Sequence, residues 1–433
     1  MNATRPARLS GRLWFNIVFF GLVGQIAWVV ENMYFATLAQ DILANSARAD
    51  LSYIVTTLMV ILSAVTATAT TFLFGGLSDR AGRRRPFIAY GYLAWGVTIM
   101  AFGFIPMRAE GAMLLTVSVL LVLFDCLMTL CGSAANDAAF SAWIADVTVP
   151  ENRGRVNGVT STLPVLAVVV VFLLLGPLYS AENETNLTFF LVLGLIPLLS
   201  GTLALLLLRD AEGLTPAKGE RGLSDILYGF SPRVVRENKM MYVTLLASCL
   251  VGISQQTFFS YLINFVVRTL GYGDGFVIPM AVIIVGAAAV CGGTGLLSDR
   301  LGRRRFYFPL LAAAMLGTLS MYLLQFIGGA AIVLYLGGIL MMGGVLALTG
   351  ILNAAFQDRI PAGCEGRFQG VRMCFTVLLP MIVGPIISLL IGLDAMGMNG
   401  ADFVPTYTIF LAATIVGVFA AVPLFLVRRS EGK

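Results

Sequence analysis

The sequence writes one charged phrase twice. Gly75-Gly-Leu-Ser-Asp-Arg-Ala-Gly-Arg-Arg-Arg85 returns as Gly295-Leu-Leu-Ser-Asp-Arg-Leu-Gly-Arg-Arg-Arg305, with nine of eleven positions the same. The copies lie 220 residues apart in a chain of 433. Each copy closes one long apolar segment and opens onto the next. A charged phrase repeated at half the chain length, between membrane-length segments, implies a duplicated membrane protein. A second repeat agrees: Asp146, Arg155 and Gly158 recur as Asp358, Arg367 and Gly370, at a common offset of 212.

Hydrophobic residues make up 58% of the chain and charged residues 12%. A soluble domain so composed could not cover its surface with polar groups. About twenty apolar residues span a bilayer, and twelve such segments can be marked: 13–39, 51–77, 86–106, 112–142, 157–179 and 187–208, then 239–268, 275–297, 306–327, 329–355, 369–392 and 404–427. Backbone groups in lipid must be satisfied internally, so the segments are expected to be helices. The expected fold class is an all-α membrane protein of twelve transmembrane helices in two pseudo-symmetric six-helix bundles. The bundles would be residues 1–208 and 239–433, joined by a polar linker, 209–238. With the N-terminus inside, twenty-five of the twenty-eight Lys and Arg fall on inside segments; only Arg48, Arg108 and Arg268 fall outside. That asymmetry places both termini in the cytoplasm of a multi-pass protein of the plasma (inner) membrane. The net charge of +5 is thus topological and implies no nucleic-acid partner. No cleavable secretory signal is evident, because the first apolar segment is too long for one.

The charged phrases have a physical reading of their own. Gly75 and Gly76 remove side chains where two helices can approach closely. Asp79 ends the second segment beside the expected start of the eleventh, whose N-terminus carries partial positive charge and is flanked by Arg367 and Arg372. By the duplication, Asp299 faces the start of the fifth segment near Arg153 and Arg155. Gly75, Asp79, Arg83, Arg155, Asp299, Arg303 and Arg367 are therefore candidate gating residues. For Arg84, Arg85, Arg304 and Arg305, simple anchoring of the loop is the favoured reading.

Acids inside a bilayer cost several kcal/mol unless they line a cavity or find partners. Glu31 lies on one helical stripe with Gly24, Trp28 and Phe35, with Gln25 and Asn32 beside it. A carboxylate next to an indole, flanked by amides, suits a polyhydroxylated ligand. Asp125 lies mid-segment, with Thr129, Gly132 and Asn136 continuing its stripe; with Asp137 it is a coupling candidate. In the seventh segment Gln256, Ser260 and Asn264 share a face beside Gln255 and Tyr261, and Asn353 lies in the tenth. These polar groups suit recognition of a neutral ligand, and interhelical hydrogen bonding is the competing reading for each of them. The six cysteines show no metal spacing, no nucleotide loop is present, and histidine is absent. No cofactor or metal is expected, and an enzyme is disfavoured.

The doubled phrase resembles the loop 2–3 motif of the major facilitator superfamily. The sequence Arg83-Arg-Arg85-Pro86-Phe-Ile resembles plant sucrose transporters and their relatives, near the glycoside–pentoside–hexuronide cation symporters. The resemblance implies a secondary active transporter working by alternating access, importing a sugar or glycoside with a cation. Melibiose carriers of that branch also place acids in the second helix. Residues 51–77 contain none here, so a proton is expected in place of sodium. A proton-coupled exporter of drugs or metabolites on the same fold is the alternative. A membrane receptor or scaffold would need neither the buried acids nor the doubled gate. The expected partners are a sugar-like substrate, the coupling proton and membrane lipid, and the protein is expected to act as a monomer.

Overall fold

The computed structural model describes residues 9–44, 46, 48, 50–148, 156, 159–160, 162–211, 228–327, 330–360, 365–399 and 404–431. Among these residues the protein is all-helical, without strands. The first six main helices are α1 (Gly11–Ala44), α2 (Leu51–Ala81), α3 (Arg85–Phe102), α4 (Ala112–Val147), α5 (Leu163–Val170, continued to Leu178) and α6 (Leu187–Leu207). The second six are α7 (Lys239–Phe259, continued to Thr269), α8 (Val277–Leu301), α9 (Tyr307–Leu323), α10 (Ala331–Gln357), α11 (Glu365–Asn399 in three parts) and α12 (Thr408–Phe419, then Ala421–Ser430). Ten of the twelve are long and apolar enough to cross a membrane. The other two are α3, 18 residues opening on Arg85 and Pro86, and α5, whose apolar stretch is shorter. Proline suits that first turn of α3, where its missing N–H costs nothing.

Helices in lipid gain little from hydrophobic association and pack instead through small residues that let backbones approach. In α3 a Cβ at Gly96 would lie 2.5 Å from the carbonyl of Gly194 on α6, and one at Gly194 would lie 2.6 Å from the carbonyl of Gly96. In α10, Gly338 and Gly343 face Ile283 and Val290 of α8, while Gly337 and Gly344 face Ser320 and Ala314 of α9. The glycine pairs thus seat α10 between two neighbours. At Gly75, Gly76 and Gly295 an added Cβ would meet nothing within 4 Å. The close approach expected of the repeated phrase is not made there among the described residues.

The chain forms two compact units. One comprises Met1–Phe35 with Val65–Glu220, and the other Ala36–Ala64 with Arg221–Lys433. In the first, α3 packs on α4 and α6, and α1 on α5; in the second, α9 packs on α10 and α12, and α7 on α11. Those pairings correspond one for one, as a duplication requires. Residues 36–64, the end of α1 and the beginning of α2, belong to the second unit.

Five helices carry a π-turn: α1 at Glu31–Phe35, α4 at Ser133–Phe140, α5 at Val171–Leu175, α7 at Phe265–Thr269 and α11 at Cys374–Leu378. A π-turn inserts a residue, disturbs the hydrogen-bond ladder and often marks a functional site. Side chains attend to the disturbed backbone. Asn32 donates its amide to the carbonyl of Trp28 at 2.7 Å, and the Ser141 hydroxyl donates to the carbonyl of Asn136 at 3.2 Å.

Candidate functional site

The helical stripe of α1 meets the stripe of α4 inside the first unit. The two run antiparallel, so Gly24 opposes Asn136 and Glu31 opposes Thr129. The Asn136 amide lies where a Cβ of Gly24 would stand, and only glycine leaves it that space. The Thr129 hydroxyl donates to Oε1 of Glu31 at 2.7 Å. Oε2 of Glu31 is buried without a hydrogen-bond partner. Asp125 lies one turn before Thr129 and is 2% exposed, against 7% for Glu31. Among the described residues no arginine or lysine forms an ion pair with either acid. Two carboxylates at this depth cannot both keep a bare charge. They need a proton, a bound cation or a ligand's donors.

Aromatic and polar groups surround this pair. Trp28, half-buried one turn before Glu31, packs against Trp95 of α3 with ring centroids 5.1 Å apart. The indole of Trp95 covers Gly132 of α4, and its Nε1 is buried without an acceptor. Toward the end of α4, the Ser133 hydroxyl donates to Asp137 Oδ2 at 3.1 Å and the Asn136 amide lies 3.4 Å from Oδ1. The Tyr92 hydroxyl lies 2.8 Å from the carbonyl of Phe20 and 3.1 Å from Oδ1 of Asn136; its single proton serves one of them. Gln25 is half-buried on the same face of α1. The structure therefore gathers Trp28, Glu31, Asp125 and Asp137 in one unit, while the amide of Asn32 is committed to its own helix.

The repeated phrase is held by ion pairs within each unit. Arg84, 7% exposed, donates to Asp79, to Asp146 at the end of α4 (2.9 Å) and to the Ser78 hydroxyl (2.6 Å). The backbone N–H groups of Arg84 and Arg85 both donate to Asp210 Oδ1, at 2.7 and 2.8 Å. Burial opposes the charge of Arg84, but the carboxylates of Asp146 and Asp79 hold its guanidinium above the ordinary arginine value. In the second unit Arg303 donates to Asp358 at the end of α10 (2.6 Å) and to Glu431 after α12 (2.9 Å). Glu431 also accepts from Arg359 (3.1 Å) and from the Tyr307 hydroxyl (2.8 Å). Asp210 and Glu431 thus close the two units at equivalent places. Arg83 is exposed. Arg155 lies outside the described residues, and the side chains of Asp299 and Arg367 lie outside what the structure describes.

A second polar cluster lies at the opposite end of the second unit. α7 breaks at Ser260–Tyr261, and the freed carbonyl of Ser260 accepts from the Gln40 amide at 2.9 Å. Asn264 donates to Gln40 Oε1 at 3.0 Å, and Arg268 donates to Asp41 at 3.2 Å. Tyr53 of α2 packs on Tyr261 with centroids 5.5 Å apart, and the Thr57 hydroxyl lies 3.4 Å from the carbonyl of Pro385 in α11. Ser260 and Asn264 are thus engaged with the end of α1. Gln256 is half-buried against Gly384 of α11, and Asn353 is half-buried on α10. Sequence reasoning missed Gln40, Asp41, Trp95, Arg84 as a buried hub, Asp210 and Glu431. Arg268 carried a signal: the topology expected from the sequence left it one of three basic residues on the outside, and such a cation calls for an acid partner.

The family model of the Major Facilitator Superfamily matches residues 13–385. No curated protein matches the chain in sequence. Among solved structures, a D-xylose–proton symporter is similar at TM-score 0.74 and 13% identity, covering 95% of this chain and 97% of that one. A bacterial homolog of the human lysosomal transporter Spinster, in an inward-facing and unoccupied conformation, is similar at 0.71 and 15%, covering 98% of both. The nucleoside transporter NupG is similar at 0.66 and 14%, covering 96% and 99%. At such identities these likenesses establish the fold alone.

Proposed function

The chain belongs to the major facilitator superfamily and is a membrane transporter, and we propose that it carries a sugar or glycoside together with a proton by alternating access. The observation that carries this reading is the Glu31–Thr129–Asp125 group, two buried carboxylates without a described cation partner. A proton neutralises such a group at least cost, because residues 51–77 of α2, the part within the apolar span, offer no carboxylate to complete a sodium cage. Trp28 beside Glu31 supplies the aromatic face and acceptor that a sugar's C–H and O–H groups use. Gln25, Asn32, Gln256, Ser260, Asn264 and Asn353 remain the proposed recognition amides and hydroxyls, with Asp125 and Asp137 as coupling acids. Asp79 and Asp299, with their arginines, are the proposed gating groups.

In this reading both termini and both arginine phrases face the cytoplasm, and residues 1–208 and 239–433 are the two halves of a monomeric plasma-membrane carrier. The test uses proteoliposomes and a panel of radiolabelled sugars including D-xylose and sucrose, under imposed proton or sodium gradients. Asp125→Asn should abolish accumulation while leaving exchange partly intact, because exchange needs only the loaded carrier to reorient. Glu31→Gln should weaken binding itself. Normal accumulation by both variants, or accumulation that follows sodium and ignores pH, overturns the reading.

A further inference from the structure

Polar residues recur at every fourth position of α4: Asp125, Thr129, Ser133, Asp137 and Ser141. In a regular α-helix a four-residue step overshoots one turn by about 40°, so five such residues would wind off any single face. Here the helix changes to a π-turn at Ser133–Phe140. A π-turn holds more residues, so the same step falls short of a full circle there. The overshoot of the first two steps is returned by the last two, and the polar groups stand in one column. Their exposure is ordered as well. Asp125, Thr129 and Ser133 are 2%, 1% and 0% exposed, Asp137 is half-buried, and Ser141 is exposed. The column runs from the buried acids toward the end where Asp146 meets Arg84.

The column is hydrogen-bonded in two pairs with a gap between them. Thr129 is joined to Glu31 at 2.7 Å, and Ser133 to Asp137 at 3.1 Å. The gap between Thr129 and Ser133 lies at the level of Gly132. There the buried N–H of Trp95 has no acceptor, and one turn along α1 Oε2 of Glu31 has no donor. An orphan donor and an orphan acceptor one turn apart along a buried polar column are groups that bound water satisfies.

We propose that α4 is a proton relay in which a water held by Trp95 joins the Glu31–Thr129 pair to Ser133 and Asp137, with Asp137 as the exit carboxylate. This rests on the proton-coupled reading above and names the route the proton takes. The protonated carboxyl of Glu31 or Asp125 gives its proton to the water or hydroxyl beside it. Each hydroxyl or water accepts one proton on oxygen and releases its own to the next acceptor. One proton leaves the buried acid, one arrives on the Asp137 carboxylate, and Asp137 passes it to solvent. No electron moves, and each hydroxyl is restored when its O–H turns back. Among the described residues, the titratable groups facing the column are Glu31 of α1 and Tyr92 of α3, with Cys126 on α4 itself.

The experiment needs no substrate. The purified full chain in detergent is jumped from mildly acidic to mildly alkaline pH in weak buffer, with a pH dye reporting released protons. A slow component that disappears in the Glu31→Gln, Asp125→Asn double variant is the buried proton. Asp137→Asn and Ser133→Ala should each slow that component about a hundredfold, Trp95→Phe should slow it by a smaller factor, and Asp137→Glu should restore the rate. Should Asp137→Asn fail to fold, Ser133→Ala carries the same test. An unchanged rate in Ser133→Ala and Asp137→Asn overturns the relay and leaves proton coupling standing. The absence of any component dependent on Glu31 or Asp125 overturns both.

Discussion

Arg84 joins three helices with one side chain: Ser78 and Asp79 on α2, Asp146 on α4, and its own place at the start of α3. Its neighbour Arg83 is exposed. The two differ by one position and should differ sharply in consequence. Arg84→Ala leaves Asp79 and Asp146 without their shared cation and should cost about 2 kcal/mol. Arg83→Ala should fall within about 0.5 kcal/mol of wild type. Thermal unfolding in detergent compares them, and equal effects would show that burial does not decide the role of these arginines. The string Arg-Arg-Arg does not reveal which member points inward. That depends on where α2 stops and α3 begins, and helix ends are the least legible feature of a sequence. The partners Asp210 and Glu431 were hidden for a related reason: each is a lone acid just past a helix end, far in sequence from the arginine phrase it meets.

At the scale of the element, the helical stripes of α1 and α4 were legible because each follows ordinary α spacing up to its π-turn. Gly24, Trp28 and Glu31 on one helix, with Asp125, Thr129, Gly132 and Asn136 on the other, do share the facing surfaces. The π-turns were not legible, because an inserted residue leaves no compositional mark, and the α period does not fix the spacing beyond Glu31 or Gly132, although Asn136, inside the second π-turn, still meets Gly24. Nor was the extent of α1: it runs on to Ala44, and the segment expected to end at residue 39 stopped just short of Gln40 and Asp41. Glycines show the same division. Gly96→Leu must force α3 and α6 apart against a 2.5 Å contact, and should cost about 3 kcal/mol or abolish folding. Gly75→Ala meets open space in the middle of a helix, and should be neutral or stabilising by up to about 1 kcal/mol. Unfolding midpoints test both. Loss of transport by a fully stable Gly75→Ala would assign the close approach to another conformation of the carrier.

At the scale of the molecule, the duplication is visible in both sequence and packing, yet the compact units do not follow the repeat. Residues 36–64 join the second unit, and specific polar bonds help to hold them there. Gln40 bridges Ser260 and Asn264, Asp41 pairs with Arg268, and Tyr53 and Thr57 rest on α7 and α11. A carrier that works by alternating access must break contacts at one end of its helices in every cycle. Contacts made by amides, an ion pair and the Tyr53 and Thr57 hydroxyls can be exchanged for water more readily than packed apolar side chains. Asp41 is 3% exposed and Arg268 24%, so the pair is shielded enough to matter and open enough to release. Losing it should weaken the attachment by about 1.4 kcal/mol, a tenfold change in the opened population. The measurement is the rate at which a polar thiol reagent modifies a cysteine placed at Thr57, which is 3% exposed. Asp41→Asn and Arg268→Gln should each raise that rate about tenfold, and the double variant should add little to either alone, because both remove one interaction. Additive effects would mean that Asp41 and Arg268 hold the segment through different partners. Unchanged rates would mean that the segment stays attached through Gln40 and the tyrosines.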